Sequence, residues 1–330
     1  MQSKTIMLMA RLKIVVIVVF SLIAGGFLHY YYYSHIVDRS KEIIQIRENS
    51  DAYRFINPVI LTVDNRDVEF DQYRDLKNKI QSLINSRSVK EIEGVSFYFR
   101  DLNAGEWVGV NEDDLYSPSS MLKVATLMAY SKLADDDPKT LLEKVYYEPS
   151  DISGQNYKPK QLAKGYHVVR ELLQQMIVES DNDAMHSLND LHTDKILEIY
   201  KDLELPDILS DKQDFMSPRS YSRLFRSLYN GSYISHFYSD EALELLTYSK
   251  FDQGIKSGVG DTVVTHKFGE FTDILDGTIT KRELHDCGIV YYPSKPYFIC
   301  VMTKGQEFSN LEKIIADISK ITFDYIKNKK

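Results

Sequence analysis

Residues 116–123 read Tyr-Ser-Pro-Ser-Ser-Met-Leu-Lys, and apolar side chains then recur at helical spacing as far as Leu133. Ser120 thus stands at the mouth of a helix with Lys123 three residues on, and on a helix those two side chains share a face. A serine hydroxyl is a weak nucleophile until a neighbouring base takes its proton. A lysine desolvated beside other cations sheds its own proton and can be that base. The Ser120 N–H would also lie near a helix N-terminus, where developing negative charge is favoured. Ser-x-x-Lys alone is weak, because the plain alternative is an N-cap serine followed by a solvated lysine.

Two further stretches add to it. Ser180-Asp181-Asn182 lies between an apolar helix ending at Val178 and a helix beginning near Asp183. Ser180 can relay a proton to a leaving group, while the Asn182 amide can orient a substrate carbonyl and contact the lysine; the alternative is a capping turn. His266-Lys267-Phe268-Gly269 closes a predicted strand. A cation at Lys267 can hold Ser180 and an anionic substrate, and Gly269 lets an acyl group approach the strand edge. An edge lysine that discourages aggregation is the alternative there. The three stretches gain weight from their order, spacing and places on helix mouth, interhelical turn and strand.

Around them the periodicity predicts a helix over Asp71 to Ser88, strands at Gly94 to Arg100 and Glu106 to Val110, and a helical middle from about Ser119 to Tyr229. Within that middle, helices are expected at Met121 to Leu133, Val168 to Val178, Asp183 to Leu191, Thr193 to Leu203 and Ser220 to Leu228. Strands return at Val263 to Phe268, Cys287 to Tyr292 and Tyr297 to Thr303, before a helix over Leu311 to Ile326. Strands at both ends with helices between them predict an α+β domain, in which both chain ends share one antiparallel sheet packed against a helical subdomain.

In this order the three stretches resemble the Ser-x-x-Lys, Ser-Asp-Asn and Lys-Thr-Gly motifs of class A β-lactamases and the related penicillin-binding proteins of the DD-peptidase kind. The resemblance extends to Val95 to Leu102 as opening strand and turn, and to Asp286 to Pro293 with Pro296 to Thr303 as closing hairpin, so it covers roughly residues 70 to 328. It implies a β-lactamase-like serine hydrolase acting on amide or ester bonds, with a β-lactam or cell-wall peptide as substrate. Ser120 would be the acylated nucleophile, Lys123 its base, Ser180 the proton relay, Asn182 a substrate-orienting group and Lys267 the carboxylate-side cation. The backbone N–H groups of Ser120 and Glu270 would form the oxyanion hole. Tyr157 matches an aromatic that lines the entrance, with a simply packed tyrosine as the other reading.

Two departures bear on turnover. Phe268 stands where the family has Thr or Ser, removing a hydroxyl that would bind a substrate carboxylate. No Glu-x-x-Leu-Asn segment lies between Asn182 and Ser217, and Glu204, Asp207, Asp211 and Asp214 in that stretch lack its pattern. An acyl-enzyme that forms readily but lacks a base for hydrolysis traps its β-lactam, as a penicillin-binding protein does. His266 and His285 are alternative bases, each weighed against simple packing. Beside this reading stand efficient β-lactam hydrolysis and, in a different class, a non-catalytic member that binds cell-wall peptide or a partner.

The 330 residues carry a formal charge of −8, and residues 1–33 hold Lys4, Arg11 and Lys13 with no acid, so the rest is more acidic still and nucleic acid is not an expected partner. Ile14 to Leu28 carry no charge and run into Tyr30 to Tyr33. The run is shorter than the ~20 residues of a span, but interfacial tyrosines extend it to bilayer length. Residues 1–13 are expected in the cytoplasm, 14–33 as a single-pass membrane anchor, 34–69 as a stalk and 70–330 as the extracytoplasmic hydrolase domain, monomeric. A cleaved signal peptide is the competing reading. Cys287 and Cys300, the two cysteines, could be bridged outside the cell. A hairpin turn centred on Pro293 to Pro296 would offset them, leaving two buried thiols as the alternative. Neither a metal-ligand spacing nor a nucleotide-binding glycine fingerprint occurs, and no cofactor is expected.

Overall fold

Strands from the two ends of the chain meet in one sheet. The computed structural model describes residues 20–21, 23–31, 44–47, 53–63, 69–86, 92–209 and 212–329. Two compact units are distinguished, one of residues 1–44 with 63–67 and one of 45–62 with 68–330. In the first, residues 20–21 and 23–31 are helical and exposed; the rest of the anchor expected at 14–33, and all of 1–13, lie outside the described residues. Among the described residues no helix is long and apolar enough to cross a membrane.

A short ribbon pairs β1 (Ile44–Arg47) with β2 (Val59–Val63). Between them, within the stretch read as a stalk, Phe55 and Ile56 are buried. The Phe55 and Ile56 N–H groups donate to Asp240 at 2.6 and 3.2 Å, and the Asn57 N–H donates to Tyr229 O at 2.8 Å, which seats this segment on the folded body.

Helix α1 (Arg74–Asn85) precedes β3 (Ile92–Asp101) and β4 (Trp107–Val110). The helical lobe follows: α2 (Lys123–Asp136), the ribbon β5 (Lys144–Tyr147) with β6 (Gly165–Val168), α3 (Val169–Val178), α4 (Asn182–Asp202), α5 (Pro218–Tyr229) and α6 (His236–Leu246). The chain then returns through β7 (Val264–Leu275), β8 (Thr278–Val290) and β9 (Tyr297–Gly305) to α7 (Phe308–Asn328). The antiparallel sheet has the order β4-β3-β9-β8-β7, which leaves β7 as an edge.

Alternation along the strands divides the core in two, because successive side chains point to opposite faces. Phe97, Phe99, Ile299 and Val301 face α1 and α7, meeting Leu76, Ile80, Ile314 and Ile318. Tyr98, Phe298, Cys300 and Met302 face the helical lobe. Helix α2 is buried from Lys123 through Ser131, as expected of a helix packed on all sides. A lysine inside such a run is costly unless it is bonded, which marks Lys123.

The α+β reading is borne out, and several details differ. The two helices expected over 183–203 are one element bent at His192, whose φ is −137°. Helix α6 and the β5–β6 ribbon were not foreseen. Strands β7 and β8 extend beyond Phe268 and before Cys287 into a long hairpin closed at Asp276 and Gly277, both with positive φ. The cysteines are corrected too. Ser294 has φ 60° and the Lys295 N–H donates to Tyr292 O at 2.9 Å, so the turn closes earlier than expected. Cys287 and Cys300 become direct cross-strand partners and are disulfide-bonded.

Candidate active site

A turn of 3-10 helix over Ser119–Leu122 leads into α2 and carries Ser120 at its first turn. Ser119 has φ 47°, a left-handed conformation costly for a residue with a Cβ and held here by its surroundings. The Ser117 N–H donates to Glu283 Oε2 at 2.9 Å, and His285 Nε2 lies 3.0 Å from Ser117 O, so β8 grips the segment from behind. Glu283 is itself buried; burial alone would raise its pKa, but hydrogen bonds from His285, Lys281 and the Ser117 N–H bring it down to about 2.

Lys123 Nζ lies 2.6 Å from Ser120 Oγ, 2.9 Å from Ser180 O and 2.5 Å from Asn182 Oδ1. Burial pulls the pKa of this lysine down to about 7, against the charges of Asp181, Glu270 and Asp183. Ser120 makes no side-chain cap, and its hydroxyl is partly exposed toward the cleft.

The Ser180-Asp181-Asn182 turn divides its work. Asp181 caps α4, accepting from the Asp183 and Ala184 N–H groups at 2.8 and 3.2 Å. Ser180, at φ 60°, sends its carbonyl to Lys123 and its hydroxyl to Lys267, whose Nζ donates at 2.8 Å. The capping reading holds for one residue of the three, while its two neighbours face the lysines.

Lys267 is no solvated edge lysine. It is fully buried, its Nζ also donates to Phe268 O at 3.0 Å, and it lies 4.2 Å from the centre of the Phe268 ring. Burial and the neighbouring Lys123 push its pKa well below the usual lysine range. At Gly269 a Cβ would stand 2.5 Å from Pro118 O and 2.9 Å from Met121 Cγ, so only glycine lets edge strand β7 come this close to the serine turn.

The cleft has a volume of about 620 Å³ and is walled by Ser120, Ser180, Asn182, Tyr157, Phe268 and Glu270 among others. Tyr157 packs edge-on against Phe251 and Phe268, which stack with their centres 4.4 Å apart, and its hydroxyl donates to Glu312. His266 pairs with Asp286 at 2.8 Å and His285 bonds Ser117 and Glu283, both histidines being buried; packing, the plainer reading, is what the structure has. Glu204 sits beside Arg223, Asp207 bonds the Leu209 N–H, and Asp214 is held by Lys281 and Lys304. Asp211 lies outside the described residues. Among the described residues lining the cleft, the single acid is Glu270, whose Oε1 accepts from the Tyr157 N–H at 3.2 Å.

Sequence reading assigned only a backbone role to Glu270 and none to Glu283. An acid within a polar strand carries no signal that separates it from a solvated one. No cluster of His, Cys, Asp and Glu able to hold a metal occurs among the described residues.

The model of the beta-lactamase enzyme family matches residues 75–326. Among solved structures, the fold is similar to the TLA-3 extended-spectrum β-lactamase, with TM-score 0.67 and 22% identity over 77% of this chain and 98% of that one. It is also similar to a class A β-lactamase from Bacteroides cellulosilyticus, with TM-score 0.65 and 19% identity over 78% and 98%. A variant of PBP-A in acyl-enzyme complex with penicillin G gives TM-score 0.64 and 20% identity over 78% and 97%. No curated protein matches.

Proposed function

The chain belongs to the beta-lactamase enzyme family, and on that premise we propose that it is a serine hydrolase that opens amide or ester bonds through an acyl-enzyme on Ser120. The observation that carries this reading is the 2.6 Å contact between Lys123 Nζ and Ser120 Oγ, made by a lysine whose pKa has fallen to about 7. A neutral amine has two N–H donors and one lone pair. Ser180 O and Asn182 Oδ1 accept the donors, and the lone pair is left for the serine proton. Lys267 then orders the Ser180 hydroxyl for proton delivery to the leaving group. The Ser120 and Glu270 N–H groups receive the oxyanion at the edge of β7.

Deacylation is the slow step. Of Glu204, Asp207 and Asp214, none lines the cleft, which favours a long-lived adduct over efficient β-lactam turnover. A β-lactam or a cell-wall peptide is the acyl donor, and the PBP-A variant similar in fold is an acyl-enzyme complex with penicillin G. The domain works outside the cell, held by the segment at 14–33; the Cys287–Cys300 bridge fits an oxidising compartment. Intact-mass measurement of the full chain with a penicillin tests the reading. A stable single adduct that is lost in Ser120→Ala supports it, and fast product release or no adduct refutes it.

A further inference from the structure

The walls of the cleft carry charge in an order that constrains the acyl donor. Residues two apart on a strand share a face, so Phe268 and Glu270 stand side by side on one face of β7, while Lys267 and Gly269 turn to the other. Lys267 and Lys123 are both buried and neither lines the cavity. The Lys267 ammonium is spent on Ser180 Oγ and Phe268 O and lies under the Phe268 ring. Arg282, the one lysine or arginine among the described lining residues, directs NH1 to Gln306 O and lies 3.2 Å from Glu307 Oε2. Glu270 is the acid left on this wall. Its Oε1 takes the Tyr157 N–H, and its Oε2 is buried without a hydrogen-bond partner, so the carboxylate acts on the cleft through its charge.

From this arrangement we propose that the Phe268–Glu270 wall selects acyl donors whose group lying along it is neutral or cationic, and disfavours those that carry a carboxylate there. The inference rests on the acyl-enzyme reading for its chemistry but not for its charge preference. An incoming carboxylate meets an aromatic ring where the buried ammonium would have drawn it, and then a second carboxylate in a partly desolvated cleft, where like charges repel more strongly than in water. A cationic group is instead drawn by the Glu270 charge, and a neutral one meets no like charge. Burial holds the Glu270 pKa above its usual range, against the Tyr157 and Asn156 N–H groups, so the preference weakens as pH falls.

The test uses the full chain and three probes that differ only in the group on the ring carboxyl: benzylpenicillin, its methyl ester and its 2-aminoethyl amide. Acylation of the wild type is expected to be at least about tenfold faster with the ester and the amide than with the acid, and Glu270→Gln should bring the three within about threefold. Acid that acylates as fast as the ester, or a ratio unmoved by Glu270→Gln, overturns the proposal. Calorimetric binding of the same probes to Ser120→Ala separates the two readings. If the wild type forms no adduct while Ser120→Ala still ranks the probes amide, ester, acid, the acyl-enzyme reading falls and the charge preference stands. Equal affinities, tightest binding of the acid, or no binding of any probe overturns the preference.

Discussion

Glu283 Oε2 accepts the Ser117 N–H at 2.9 Å, a bond between the sheet and the turn that carries Ser120. The carboxylate is buried, and Lys281 Nζ lies 2.7 Å from its other oxygen. The turn is therefore positioned by a charge that no substrate touches.

Glu283→Ala should destabilise the domain by roughly 3–5 kcal/mol, because it leaves the partners of a buried charge uncompensated. Denaturant unfolding measures this. The folded pKa of about 2 lies below the ordinary 4.5, so the stabilisation is complete above about 4.5 and is lost as pH falls toward about 2. Wild-type stability should fall through that window, and Glu283→Gln should flatten the fall. An unchanged acid profile would show that this carboxylate is not tied to the turn.

If Lys123 is the base, the neutral amine is the active form and the acylation rate should climb as pH rises through about 7, then level off. Lys123→Ala should slow acylation at least ~100-fold and remove that inflection. Stopped-flow acylation across pH 5 to 9, by order of magnitude a hundredfold span on each side of neutrality, reads both. A flat profile in the wild type would take the lysine out of the mechanism.

Gly269→Ala forces a Cβ against Pro118 O and Met121, and backbone cannot yield as a flexible side chain would. Strand β7 must withdraw from the Ser119–Leu122 turn, which should cost acylation about 100-fold while the circular dichroism of the fold persists. Full activity in this variant would mean that the strand edge takes no part in the reaction.

Replacing both Cys287 and Cys300 by alanine opens a loop with a sequence separation of 13, and should cost about 2–3 kcal/mol of unfolding free energy. Acylation should be unchanged, because the bridge joins two inner strands. A free-thiol assay on the unfolded wild type should find none. Detection of two thiols would remove the bridge, and with it one support for an oxidising compartment.

The parts of the site that could be read in the sequence were those whose chemistry is tied to short spacing. Ser120 and Lys123 share a helix turn, and Ser180 and Asn182 flank a cap, so local periodicity carries them together. The Lys267–Ser180 contact, expected from the order of the three stretches rather than from local periodicity, is present at 2.8 Å although strand and turn lie far apart in the chain. The offset expected between Cys287 and Cys300, which left their bridging open, was wrong because register depends on where the turn at Tyr292 to Lys295 closes, and a small shift there moves every cross-strand pair. The long β7–β8 hairpin escaped notice because residues such as Thr272, Asp273 and Lys281 lie half-buried, blurring the alternation that marks a strand. Glu270 was invisible as a charge because its meaning comes from Phe268 covering Lys267, a contact that no spacing encodes.

Strand β9 sits between β3 and β8, with Ile92 opposite Gly305 at one end of the first pairing. A nascent chain leaving the ribosome exposes the serine helix before the sheet that braces it can close, because β9 has to emerge first. A polypeptide interrupted before β9 therefore lacks the strand through which β3 and β8 are joined.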